Sequence, residues 1–122
     1  MLPHLQARVA LIFQALDQLV VSVTPLSVDV NAFKLKIELS DGSNLRLSES
    51  YRADALEKYA YYWLDDQNKL IIGWDNAPHH TRLSSYPHHK HVAAQANVHP
   101  STETDLEAVL SVIRDTLISK NA

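Results

Sequence analysis

Residues 33–47, FKLKIELSDGSNLRL, decide the fold of this chain. Apolar and charged side chains alternate up to Leu39, which is the period of two that a half-buried β-strand requires. The turn residues SDGS follow, and Gly42 among them can adopt the positive φ that a tight turn needs. The alternation then resumes at Leu45. The stretch therefore predicts a β-hairpin with one face in a hydrophobic core.

The segments on either side of this hairpin extend the pattern. Downstream, the aromatic run YAYYWL (59–64) and LIIGWD (70–75) flank a polar turn, which predicts a second hairpin. At both ends of the chain apolar residues recur at helical spacing. They are Val9, Ile12, Phe13, Leu16 and Val20, which predict a helix over about 4–19, and Leu106, Val109, Leu110, Ile113 and Leu117 near the C-terminus. We therefore expect an α+β fold, a mainly antiparallel sheet of four to six strands with an N-terminal and a C-terminal helix packed on one face.

Composition narrows the class of protein. A chain of 122 residues with 46% hydrophobic content is expected to form one domain, 1–122. The absence of cysteine excludes disulfides and thiolate metal ligands. The formal charge of −3 argues against general coating of nucleic acids or membranes. No apolar run has the length of a membrane span, and the N-terminus does not resemble a signal peptide. We expect a soluble, cytoplasmic protein without membrane contact.

The chemistry is expected in residues 75–92, DNAPHHTRLSSYPHHKHV, which contain five of the seven histidines. From Asn76 to Thr102 the chain has no acidic residue, although it has fourteen in total. The segment starts where a predicted strand ends, and loops at strand ends commonly carry function. Imidazoles titrate near neutral pH and can donate to phosphate oxygens. The pattern therefore favours a local anion-facing site on an otherwise acidic protein.

Three uses of the histidines are open at this point. The first is metal-free RNA cleavage, with His88, His89 and His91 as acid and base and Lys90 and Arg82 as cations beside the phosphate.

The second use is a metal site. His89 and His91 share one face of an extended segment, and they would bind zinc or another borderline metal together with Asp75 and either His79 or His80. The third use is structural, because paired histidines often make only loop hydrogen bonds.

Basic residues of the first hairpin form a smaller candidate site. Lys34 and Lys36, with Arg46 opposite them, form a short basic stripe on the exposed sheet face. Glu38 and Glu49 are expected to interrupt it, so a solvated sheet face explains these charges. The aromatic residues of 59–63 and Trp74 can stack nucleic-acid bases, but strand alternation sends about half of them into the core.

Two segments of the chain resemble a known family. The segments LSDGSNLRLSESY (39–51) and YAYYWLDDQNKLIIGWDNAPHHTRLSSYPHHKHV (59–92) are similar to the TumE toxins of bacterial and archaeal toxin–antitoxin systems. The likeness covers about residues 33–92, and its most specific parts are WDNAPHH (74–80) and PHHKH (87–91). It implies a growth-inhibiting protein and a cognate antitoxin, usually a helix-turn-helix DNA-binding protein. The motif positions implied are Asp75, Asn76, His79, His80, His88, His89 and His91.

The resemblance and the residues together lead to one hypothesis. Helices followed by an antiparallel sheet also resemble small toxin endoribonucleases of the RelE and barnase type, although fold alone does not establish function. We expect a type II toxin that acts as a metal-independent endoribonuclease with RNA as its substrate. The expected catalytic residues are His79, His80, His88, His89, His91 and Asp75, and the expected substrate-binding residues are Lys90, Arg82 and Asn76.

Two alternatives stay open: a non-catalytic toxin or binding module that acts on a protein partner, and a metal-dependent nuclease with histidine ligands. Homodimer formation is also left open. In every case the motifs WDNAPHH and PHHKH are expected to fold toward one another and form one site.

Overall fold

The computed structural model describes residues 2–120. It contains helix α1 (Leu2–Leu16), a 3₁₀ turn (Asp17–Leu19), strands β1 (Val20–Val28), β2 (Ala32–Leu39), β3 (Asn44–Arg52), β4 (Ala55–Leu64), β5 (Leu70–Asp75), β6 (His89–Val92) and β7 (Val98–Pro100), and helix α2 (Leu106–Lys120). The strands form one antiparallel sheet whose spatial order follows the chain, β1 to β7. The predicted α+β architecture is confirmed, and the sheet has seven strands. Two of these strands were hard to predict, because β1 contains Pro25 and β7 has only three residues.

The first hairpin forms as its alternation predicts. Leu35 pairs with Leu47 and Lys36 with Arg46, so the apolar and charged rows of the two strands coincide. Gly42 closes the turn with a φ of +88°, and the Asp41 carboxylate accepts a hydrogen bond of 3.0 Å from the backbone N–H of Ser43. The turn chemistry and the alternation therefore fix the same pairing.

One face of the sheet packs against both helices and forms the core. Its buried apolar residues are Phe33, Leu35, Ile37, Leu39, Leu45, Leu47, Tyr51, Tyr59, Tyr61, Trp63 and Trp74 from the sheet, and Ile12, Leu16, Leu106, Val109, Leu110, Ile113 and Leu117 from the helices. Asp105 caps α2, because its carboxylate accepts a 2.8 Å hydrogen bond from the N–H of Ala108. Helix α1 ends at Leu16 rather than residue 19, and Phe13 of its predicted stripe is 47% exposed. No helix within residues 2–120 is long and apolar enough to cross a membrane.

The opposite sheet face, called the open face here, carries the alternate residues of the strands. They are Lys34 and Lys36 of β2, Arg46 and Ser48 of β3, Ala60 and Tyr62 of β4, Gly73 and Asp75 of β5, and His89 and His91 of β6. The helices pack on the other side of the sheet. Any chemistry of these residues therefore faces away from the hydrophobic core.

The expectation that Glu49 interrupts the basic stripe is wrong. Glu49 has the strand parity of Leu45 and Leu47, and it lies on the helix side with 1% of its surface exposed. Its carboxylate accepts hydrogen bonds from Arg8 Nε at 2.9 Å, from the Tyr51 hydroxyl at 2.8 Å and from the Tyr61 hydroxyl. A buried carboxylate needs such partners. Because these partners lie on the helix side, the charge of Glu49 does not face the basic stripe.

Candidate functional site

The site forms where β5 ends beside β6. Asp75 is paired with His89, and Gly73 with His91. Since alternate residues of a strand point to the same side, His89 and His91 both project onto the open face next to Asp75. The motifs WDNAPHH and PHHKH thus meet in space, as the sequence predicted.

The Asp75 carboxylate is shared between the two imidazoles. Its Oδ1 lies 2.8 Å from Nε2 of His89, and its Oδ2 lies 3.2 Å from Nε2 of His91. Two further donors hold the carboxylate: the Ala77 N–H at 3.0 Å and the Tyr62 hydroxyl at 3.1 Å. Asp75 and His91 are each 7% exposed and His89 is 2% exposed, so little solvent competes with these contacts.

The second nitrogen of each imidazole faces a backbone carbonyl. Nδ1 of His89 lies 3.1 Å from the oxygen of Pro87, and Nδ1 of His91 lies 2.8 Å from the oxygen of Gln95. A carbonyl only accepts, so each Nδ1 carries a proton, and a neutral imidazole then presents a lone pair at Nε2. Two such lone pairs beside a carboxylate are unfavourable unless a proton or a metal ion lies between them.

The ligand atoms of Asp75, His89 and His91 all lie within 4.8 Å of one another. In a tetrahedral zinc site with bonds of about 2.0–2.2 Å, ligand atoms are separated by roughly 3.3 Å. The three residues therefore suit a metal ion after small side-chain shifts.

A cavity of about 750 Å³ opens above these residues on the sheet face. Asp75, His89 and His91 line it together with His79, His80, Lys58 and Tyr62. The ring of His80 lies 4.7 Å from that of His89, edge to face, measured between centroids. Within residues 2–120 the ring nitrogens of His79 and His80 make no hydrogen bond to protein, so both remain available to a ligand.

The hydroxyl groups near the site keep their protons. Burial, followed by the charge and hydrogen bond of Asp75, raises the pKa of Tyr62 above its ordinary value. Burial also raises the pKa of Tyr59, and the charges of Asp75 and Asp105 add to that effect. Tyr62 therefore acts as a hydrogen-bond donor to Asp75 rather than as a phenolate.

Three of the residues expected to act here lie outside the main cavity. His88 turns toward β4, where its Nδ1 is 2.7 Å from the Tyr59 hydroxyl. Lys90 lies on the helix side of β6, and its ammonium is 3.2 Å from Glu103. Arg82 is exposed and lines a neighbouring cavity of about 290 Å³ that also includes His79 and His80.

Asn76, the fourth residue expected to contact a ligand, lines the main cavity but uses its side chain to hold two strands together. Its Oδ1 accepts a hydrogen bond from the Tyr59 N–H, and its Nδ2 donates to the Glu57 carbonyl, both at 3.0 Å. These two hydrogen bonds hold the end of β5 against β4, next to Asp75.

The sequence did not single out Gly73, Gln95 or Lys58 as site residues, and it placed Tyr62 only among the aromatic residues that can stack bases. A glycine inside a strand signals close approach of another group. At Gly73 that group is the Tyr62 ring, because a Cβ at position 73 would lie 3.0 Å from two of its carbons. Strand parity also separates Tyr62 from Tyr61 and Trp63, which are buried on the helix side. Gln95 fixes His91 through its backbone carbonyl, and a backbone carbonyl leaves no signal in the sequence.

Comparison with known proteins identifies the family. The family model described as "Toxin TumE" matches residues 10–117. No curated protein and no solved structure matches the chain. The matched region includes both helices in part and every strand. The chain therefore belongs to the TumE family of toxins, which implies a toxin of a toxin–antitoxin system with a cognate antitoxin as its partner.

Proposed function

We propose that this toxin inhibits growth by cleaving RNA in the open-face cavity, with a divalent metal ion held by Asp75, His89 and His91. The observation that carries the proposal is the orientation of the two imidazoles, with each Nδ1 fixed by a carbonyl and each Nε2 directed at the shared carboxylate. Metal-binding histidines almost always donate their other ring N–H in this way.

This arrangement favours a metal over direct acid–base catalysis by the same two histidines. A general acid or base needs a ring nitrogen within hydrogen-bond reach of the substrate. Both nitrogens of His89 and of His91 already face protein acceptors, and the rings are almost fully buried. As metal ligands, by contrast, they need no solvent access of their own.

The ligand set indicates the class of metal. Two imidazole nitrogens and one carboxylate suit zinc and other borderline first-row ions better than magnesium or calcium, which prefer oxygen ligands. Three protein ligands also leave a coordination position free, as catalytic sites require. When bound, such an ion stabilises charge that develops on a phosphoryl oxygen.

The chain supplies separate groups for proton transfer. His79 and His80 line the same cavity, and their ring nitrogens make no hydrogen bond to protein among the residues that the structure describes. In the proposed reaction the 2′-oxygen attacks phosphorus and the bond from phosphorus to the 5′-oxygen breaks, which yields a 2′,3′-cyclic phosphate and a 5′-hydroxyl. One of these imidazoles accepts the 2′-hydroxyl proton, and the other donates a proton to the departing 5′-oxygen.

The direct test measures cleavage and metal content in the same preparation. Purified toxin is analysed for metals and incubated with total RNA, with and without a chelator and with zinc added back. We compare His91→Ala with His99→Ala, because His99 is an exposed β7 histidine that lies outside the main cavity and whose ring nitrogen lies 3.0 Å from the side-chain oxygen of Asn97.

We expect metal in the wild type and in His99→Ala, cleavage that the chelator stops and zinc restores, and neither metal nor cleavage in His91→Ala. Cleavage by metal-free protein would overturn the metal assignment, in favour of protons on both imidazoles. Absence of cleavage under every condition, with toxicity intact in His91→Ala, would instead indicate a toxin that blocks a protein partner.

Membership of the family supports a further proposal about the partner and the place of action. We propose that the antitoxin is a helix-turn-helix DNA-binding protein encoded beside the toxin, and that the toxin acts on cytoplasmic RNA. Co-expression of the adjacent open reading frame with a tagged toxin tests the first point. Stable co-purification and restored growth are expected, whereas a solitary gene or a neighbour that leaves toxicity unchanged would contradict it.

A further inference from the structure

We propose that single-stranded RNA enters the site along a basic groove that crosses the open face from β2 to β6, with its phosphates bound by Lys34, Lys36, Arg46 and Lys58. This proposal rests on the proposed function and adds the class and path of the substrate. Four independent features support it: strand register, the shape of the groove, its charge, and its exposed rings.

Strand register aligns the basic residues with the site. In one row of cross-strand neighbours, Lys36 pairs with Arg46, Arg46 with Tyr62, Tyr62 with Gly73, and Gly73 with His91. The adjacent row runs through Lys34, Ser48, Ala60, Asp75 and His89. Four strand spacings of about 4.8 Å separate β2 from β6, so the track is roughly 19 Å long.

The surface along these rows is a continuous depression. A second cavity of about 370 Å³ includes Lys34 and Arg46 and shares Ser48, Ala60 and Tyr62 with the main cavity. Small side chains at positions 48 and 60 leave room between the basic end and the histidine end. A chain lying in the groove can therefore contact both ends at once.

The charge of the groove is opposite to that of the protein as a whole. Among the described residues that line the two cavities, Asp75 is the single acidic one, whereas Lys34, Arg46 and Lys58 are basic. The full chain has a formal charge of −3. Beside the track, Glu38 is bonded to Ser22 and Lys36, and it lines a third cavity together with Lys36 and Asp66. Local positive charge on an acidic protein suits one bound phosphate backbone, not general coating of polyanions.

Two partly exposed rings favour a single strand. The half-buried rings of Tyr62 and His80 lie in the groove. Aromatic rings stack on unpaired bases, and in a duplex those base faces are already occupied. A single strand thus gains contacts to both the basic residues and the rings.

The test is a binding measurement that needs no cleavage. A fluorescein-labelled single strand of 2′-O-methyl RNA, which lacks the attacking hydroxyl, is titrated with toxin and followed by fluorescence anisotropy at several salt concentrations. A duplex of the same sequence is measured in parallel. The variant pair is Lys34→Ala/Arg46→Ala against Lys69→Ala/Arg114→Ala, which removes the same charge from the exposed β4–β5 turn and the outer side of α2.

We expect the first variant to bind roughly tenfold more weakly near 0.15 M salt and to lose about 1.4 from the slope of log affinity against log salt, since each phosphate contact of a single strand contributes about 0.7. The second variant is expected to bind as the wild type does. Lys34→Glu alone, at an exposed position, repeats the test if the double variant has a lower melting temperature.

Equal losses in both variants, tighter binding of the duplex, or no binding by the wild type would overturn the proposal. Its failure is distinguishable from failure of the proposed function. If the toxin cleaves RNA but Lys34→Ala/Arg46→Ala binds RNA as the wild type does, the groove proposal fails and the nuclease proposal stands. If binding depends on the groove but no RNA is cleaved, the nuclease proposal fails and the groove proposal stands.

Discussion

Metal binding should stabilise the folded toxin by an amount that can be worked out in advance. A ligand that binds only the folded state at a concentration 100 times its Kd adds about 2.7 kcal/mol to the free energy of unfolding. A chain of 122 residues unfolds with an entropy near 0.26 kcal/mol/K, on the basis of about 2.1 cal/mol/K per residue. Saturating zinc should therefore raise the melting temperature of chelator-treated toxin by about 10 °C.

Loss of one ligand should remove most of that increase. In His91→Ala the Asp75 carboxylate keeps its hydrogen bond from Tyr62, but two protein ligands remain instead of three. We expect an increase below about 2 °C, whereas the His99→Ala control should retain the full shift. Magnesium should have little effect on any of the three proteins, because it prefers oxygen ligands. Thermal unfolding followed by circular dichroism, with each metal titrated, measures these shifts.

Two results would refute this reasoning. One is a wild-type melting temperature that no transition metal changes, which would mean that protons alone balance the carboxylate. The other is the same zinc shift in His91→Ala as in the wild type, which would place the metal elsewhere. Repeating the titration at lower pH adds a check, since the ligands must lose protons to bind and the shift should shrink in acid.

Three further predictions concern the residues around the site and the core. Gly73→Ala places a methyl group 3.0 Å from the Tyr62 ring, so we expect metal affinity to fall by about 10–100-fold as that ring shifts away from the carboxylate; zinc titration showing unchanged affinity would contradict this. Arg8→Ala leaves Glu49 buried without its cation and should lower the free energy of unfolding in urea by about 3 kcal/mol, with a loss below about 1 kcal/mol as the contrary result. Although partial burial acts to raise the pKa of Glu103, three side-chain hydrogen bonds lower it below 4.5, so its stabilising effect is present above that pH and is lost as the pH falls further. Thermal melts of Glu103→Gln should therefore show a flatter acid limb than the wild type, and superimposable pH profiles would count against this assignment.

Strand parity accounts for most of what the sequence predicted correctly. The alternation of residues 33–47 fixed the first hairpin, and the His-x-His spacing placed His89 and His91 on one face. Parity also carried the information that the prediction for Glu49 overlooked, because that residue continues the apolar row of Leu45 and Leu47. Burial of the Glu49 carboxylate depends on the charge of Arg8, which lies 41 residues away in the chain.

The remaining features of the site depend on contacts that have no local period. The path of residues 76–88 is irregular, so sequence alone could not show that His80 joins the site while His88 turns toward Tyr59. The carbonyls of Pro87 and Gln95 fix the imidazoles, yet any residue type offers a backbone carbonyl. Such contacts are determined by tertiary packing rather than by composition.

The pairing of Trp74 with Lys90 on the helix side of the sheet helps to set the register that places His89 and His91 on the open face. Both side chains meet one carboxylate oxygen of Glu103, at 3.0 Å from the indole nitrogen and 3.2 Å from the ammonium. A slip of β6 by one residue would turn both histidines toward the helices and bring Lys90 beside Asp75. It would also pull Lys90 away from Glu103 and leave that carboxylate without its cation. The contact among Trp74, Lys90 and Glu103 forms in the observed register of β5 and β6 and is lost in the shifted one. It therefore stabilises the correct pairing, although none of the three residues faces the cavity.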